Sequence, residues 1–150
     1  MGDAAKAFAV LCSTLNGIPL VYSGQEIPNH KALTFFEKDL IEWNANTELH
    51  DFYKTLLTAH KNNPALHAGQ NSLTRRIKTS AEDKIFSFLR KNGDDEVLVF
   101  LNLSADSFEF SLNENVEGKF REIFSGVEKD FSADQNLELD GWQWLVFDRQ

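Results

Sequence analysis

The sequence predicts an α+β fold in which a helix–strand–helix segment precedes an antiparallel, Greek-key-like β-sandwich. Up to about residue 61 apolar residues recur at helical spacing, whereas after Gly69 they alternate with polar ones between short turn signals. Between the two helical patterns lies one run, Ile18-Pro-Leu-Val-Tyr22, apolar on both faces as a covered parallel strand is. Helix, glycine turn and buried strand in that order make an α/β unit.

Asp3 is placed to cap a helix through Leu15, whose Ala4, Phe8, Leu11 and Leu15 form one apolar stripe with Cys12 among buried neighbours. Asn16-Gly17 ends it, with Gly17 expected in the left-handed conformation. Residues 23–43 read as loop with helical pieces, interrupted by Pro28. A second helix is expected from Thr47, as N-cap, to Lys61, burying Leu49, Phe52, Tyr53, Leu56 and Leu57. Asn63 stops it, because a residue before proline avoids the helical region. Strands are expected over 73–78, 84–91, 96–103, 107–112, 120–124, 136–139 and 142–147. Within them Phe86/Phe88 and Phe108/Phe110 put their rings on one face, and residues 97–101, apolar on both faces, mark a central strand.

An apolar fraction of 42% and a charged fraction of 25% are those of a globular protein, and 13 phenylalanines supply a core. A net charge of −8 with no basic run argues against nucleic acid and anionic membranes as partners. The single cysteine excludes an internal disulfide. No signal-peptide pattern is visible, and Lys6 stands where a myristoylation motif needs Ser or Thr. His30, His50, His60 and His67 lack zinc-site spacing, and no Asp-rich loop fits calcium. Asn102-Leu103-Ser104 matches the glycosylation triplet, but within a strand it reads as a chance match.

The runs Gly17-Ile-Pro-Leu-Val-Tyr-Ser-Gly-Gln-Glu26, Phe35-Phe-Glu-Lys-Asp-Leu-Ile-Glu-Trp43, Asn63-Pro-Ala-Leu66 and Glu96-Val-Leu-Val-Phe-Leu-Asn-Leu-Ser104 together resemble the α-amylase family, the family 13 glycoside hydrolases. The resemblance implies that residues 1–66 are the last helix, strand and helix of a (β/α)8 barrel and residues 67–150 its C-terminal sandwich. It also implies a parent acting on starch-type α-glucans by a retaining mechanism, with two carboxylates about 5–5.5 Å apart. In the family those two carboxylates and a third that supports the transition state lie at the ends of strands four, five and seven, so no catalytic position maps onto this chain.

The expected role is therefore structural and the chain alone inactive, with the remainder of the barrel as its partner and α-glucan reached through the parent. No cofactor or metal is expected in this chain, although calcium in the parent is compatible with the family. Tyr22, Ser23, Gln25 and Glu26, at the strand's carboxyl end, are candidates to line the sugar site or to cap the rim by hydrogen bonds. Glu37, Asp39 and Glu42 read as solvated. Trp142 and Trp144, at period two, form either a flat platform for a sugar or plugs of the core and its contact with the helices. The alternative function is a stand-alone carbohydrate-binding module. Without barrel neighbours residues 3–26 are expected to expose apolar surface, leading to self-association or disorder in that segment.

Overall fold

A computed structural model describes the chain except residues 1, 3, 28, 30, 44–46 and 70. The cap at Asp3 and the interruption at Pro28 lie outside the described residues. The elements are helix α1 (Ala4–Thr14), helix α2 (His50–Asn62), a 3₁₀ turn (Pro64–Leu66) and eight strands: β1 (Leu73–Arg76), β2 (Ile85–Asn92), β3 (Asp95–Asn102), β4 (Phe108–Ser111), β5 (Lys119–Glu122), β6 (Glu128–Asp130), β7 (Asn136–Leu139) and β8 (Trp144–Arg149).

Six strands form an antiparallel sheet in the order β1-β2-β3-β8-β5-β6, and β4 pairs with β7 in a second sheet. The alternation of β3 explains the layering. Leu98 and Phe100 face one core with Phe110, Phe120, Phe131, Leu139 and Phe147, while Val97, Val99 and Leu101 face another with Val10, Leu56, Ala65 and Leu66. Helices, large sheet and small sheet thus stack as three layers, with β3 covered on both sides as its double-faced apolar run predicts. Each fully buried Leu or Phe contributes about 1.5–3 kcal/mol of transfer free energy.

Several expectations are corrected. Residues 18–22 form no strand: Ile18 and Leu20 are 86% and 82% exposed, with Pro19 and Val21 half-buried between them. A parallel strand exists only through hydrogen bonds to neighbours, and none of the described strands flanks this run. Gly17 is not among the left-handed glycines, and α1 ends three residues before it. The face that α1 buries is Ala7, Val10 and Thr14, one position round from the expected stripe, so Phe8 is partly exposed and Cys12 exposed. Helix α1 is therefore docked, and within residues 3–26 the large exposed apolar side chains after it are Ile18, Leu20 and Tyr22.

Helix α2 begins at His50, with Leu49 as an N-cap that makes no side-chain bond; Thr47 contributes only its carbonyl, to His50 N–H at 2.8 Å. Its buried stripe is narrow, so Leu56 is buried while Leu57 is 38% exposed. Asn63 is extended before Pro64, as expected, and its side chain accepts from Ala65 N–H at 2.8 Å. Strand β6, three polar residues at a sheet edge, has no periodicity to betray it. Strand β8 starts at Trp144, because Trp142 lies in a turn at φ 59°.

Candidate functional site

Four of the expected site residues share one tight turn. Gln25 N–H donates to the Tyr22 carbonyl at 3.0 Å, and Tyr22 N–H donates back to Gln25 Oε1 at 2.5 Å. Glu26 Oε2 accepts from Gly24 N–H at 2.9 Å. Gly24 has φ +93°, and Ile41 lies so close that a Cβ there would sit 3.3 Å from its Cγ2. Only glycine meets both demands cheaply, and the approach ties this turn to the following loop. The side chains of Gln25 and Glu26 thus make hydrogen bonds that hold their own turn, while Tyr22 and Ser23 are exposed.

In that following loop Asp39, expected to be solvated, has partners of its own. Asp39 pairs with Lys31 and accepts from Thr34 N–H at 3.0 Å. The Lys31 ammonium, first, and the Thr34 amide, second, hold its carboxyl below the usual range. The clamp presents Phe35 and Phe36, 90% and 94% exposed, edge to face with centroids 4.8 Å apart. Leu40 and Trp43 of the same loop are exposed as well. A salt partner eight residues away has no distinctive sequence signal, so this clamp was not legible.

The tryptophans are not a pair on one strand face. Trp144 is half-buried on β8 and packs against Phe52 of α2 at 5.4 Å and Phe124 at 6.0 Å, joining sheet to helix. Trp142 is half-buried in its turn, its N–H donating to the Ser104 carbonyl at 2.9 Å. Phe52 continues edge to face into Tyr53 at 5.1 Å. Burial, then the nearby Glu26 carboxylate and the Cys12 thiol, push the Tyr53 phenol above its ordinary value.

Two further polar residues are structural. Asn102 is fully buried; its Nδ2 donates to the carbonyls of Asp106 and Asp140 at 2.7 and 2.9 Å, and its Oδ1 accepts from Ser104. The glycosylation triplet therefore forms an internal turn. Glu122, also buried, accepts from the N–H groups of Phe124 and Ser125 at 2.9 and 2.6 Å and shapes the β5–β6 turn. Among the described residues no three His, Cys, Asp or Glu side chains converge as metal ligands. No described helix is long and apolar enough to cross a membrane.

Comparison with known proteins adds the family. Residues 76–146 match the family model described as Maltogenic Amylase, C-terminal domain. The chain is 27% identical over 125 residues to Alpha-amylase 2 of Dictyoglomus thermophilum, an alignment covering 75% of this chain and 20% of that protein. It is 26% identical over 141 residues to the Maltogenic alpha-amylase of Bacillus acidopullulyticus, covering 91% of this chain and 24% of that one. The fold superposes on the α-amylase of Geobacillus thermoleovorans with a TM-score of 0.77 at 18% identity, over 99% of this chain and 34% of that one. The chain thus spans 20–24% of the length of these two curated relatives. Residues 76–146 are thus a maltogenic amylase C-terminal domain, and the chain over most of its length is similar to the C-terminal part of α-amylases.

Proposed function

We propose that this chain closes the wall of a (β/α)8 barrel with its first 66 residues and fastens the C-terminal sandwich, residues 67–150, to that wall. The parent is a retaining α-amylase-type hydrolase of α-glucans, and the chain itself supplies no catalytic carboxylate. The supporting observation is the outward row Ile18, Leu20 and Tyr22, 63–86% exposed, continuing into Phe35, Phe36, Leu40 and Trp43. Large apolar side chains exposed together in one segment mark an interaction site, and an apolar run without strand partners fits a barrel strand lacking its two neighbours. The face of the helices turned toward the sheet is already packed, so the open surface lies on the segment that the barrel would cover.

In this reading the turn Tyr22–Glu26 sits at the carboxyl end of the barrel strand, where barrel enzymes place function. Tyr22 and Ser23 face the sugar site, while Gln25 and Glu26 hold the rim. Trp144 serves as the plug between sandwich and helix, and Trp142 shapes the turn before it. An immunoblot of source cells with an antibody against this chain tests the assignment. We expect a band several times heavier than 17.1 kDa; a single band at that mass overturns it.

A further inference from the structure

The sequence contains two Asn-Gly pairs, Asn16-Gly17 and Asn92-Gly93, and the fold treats them differently. Such a pair can modify itself. The glycine nitrogen has no Cβ beside it to block its approach to the asparagine side-chain carbonyl. Whether the two meet depends on the freedom of the backbone between them.

Asn92 is held by its neighbours. It ends β2, paired with Asp95 of β3, and its Nδ2 donates to the Pro64 carbonyl at 3.2 Å. Gly93 follows in the hairpin turn at φ +62°. To bring the Gly93 nitrogen onto the Asn92 side chain, the hairpin must give up its end pair and the Pro64 bond.

Asn16 lies in the bend after α1, outside any described helix or strand, and is exposed. Among the described residues nothing accepts from the Gly17 N–H, and a Cβ on Gly17 would meet no atom within 4 Å. The nitrogen is unengaged and the space around it open. The tether on Asn16 assists the chemistry. Its Oδ1 accepts from Gly69 N–H at 3.3 Å, and a donor on that oxygen stabilises the negative charge that develops there as a nitrogen adds to the carbonyl.

We propose that Asn16 is a self-modification site, converted through a cyclic imide to aspartate and isoaspartate, while the fold protects Asn92. The Gly17 nitrogen, its proton lost to solvent, bonds to Asn16 Cγ. The Cγ–Nδ2 bond breaks, and the amide leaves as ammonia with a proton from water. Water then opens the ring. Opening at the side-chain carbonyl gives aspartate; opening at the backbone carbonyl gives isoaspartate, with the main chain rerouted through Cβ. No oxidant or reductant enters. Each event adds one negative charge to the net −8, and the isoaspartyl form lengthens the main chain between α1 and residues 18–22.

Peptide mass spectrometry of the folded 150-residue chain, aged in mildly alkaline buffer, tests this, with isoaspartate scored by enzymatic methylation. We expect Asn16 to convert at least about tenfold faster than Asn92, which must wait for local opening of the hairpin. Isoaspartate should be among the products. In urea the two sites should convert at similar rates. Gly17→Ala, whose methyl the open space accepts, should slow Asn16 severalfold and leave Asn92 unchanged. Equal rates at the two sites in the folded chain, faster loss at Asn92, or an Asn92 that stays slow in urea overturns the proposal. So does aspartate without isoaspartate, or an Asn16 rate that Gly17→Ala leaves unmoved.

Discussion

Arg90 occupies the middle of β2 with its side chain fully buried and no carboxylate beside it. Its Nε donates to the Ala65 carbonyl and its Nη2 to the His67 carbonyl, both at 3.1 Å, while Nη1 has no partner among the described residues. Those carbonyls end the α2–3₁₀ segment, where unpaired C=O groups carry partial negative charge. Burial pushes the guanidinium below its ordinary value. Lysine lacks the fork that reaches two carbonyls at once, so Arg90→Lys should cost roughly 1–3 kcal/mol in urea unfolding. Asp148 gives a pH signature. Its carboxyl is raised by burial, so the native state holds the proton more tightly than the unfolded chain, and stability falls as pH rises through the window above 3.8. Thermal melts should show Asp148→Asn melting higher than wild type at pH 7, with the difference closing near pH 3.

Strand β4 faces β7 with Glu109 directly opposite Glu138, both exposed. Like charges opposite each other oppose pairing, so Glu138→Lys should stabilise by about 0.2–1 kcal/mol, less in 1 M salt. Denaturant midpoints at low and high salt check this. A Cβ on the nearby Gly141 would collide with the Ala105 carbonyl, so glycine there is a matter of close approach. At this scale the sequence was informative wherever burial imposed a period. Strand β7 falls at its expected residues, β3 is central, and Asn63 before Pro64 ends α2. It was uninformative where structure depends on partners far along the chain. The run at 18–22 has a strand's pattern without a strand's neighbours, and β6 has neighbours without a pattern. The turn Tyr22–Glu26 was legible as a unit, whereas the Lys31–Asp39 clamp and the Asn102 turn come from tertiary placement alone.

Across the whole molecule, two cores share one sheet. Phe100 and Phe110 pack 5.7 Å apart on the side of the small sheet, and Phe52, Phe124 and Trp144 close the helix side. The helices are therefore part of the folded body, with Val10 and Leu56 in the same cluster as Val99 and Val146. Among the described residues between α1 and α2, Ile18, Leu20, Tyr22, Phe35, Phe36, Leu40 and Trp43 are exposed, while Ile27 is buried. This asymmetry is what an end piece of a barrel should display, and it makes a kinetic prediction, since segments with few buried contacts open at little cost. Hydrogen exchange of the isolated chain, read by mass spectrometry, is the most direct test. The account predicts that residues 18–43 exchange almost as fast as an unstructured peptide while β2, β3 and β8 stay protected. Protection of residues 18–22 equal to that of β3, in a chain that remains monomeric, would contradict it.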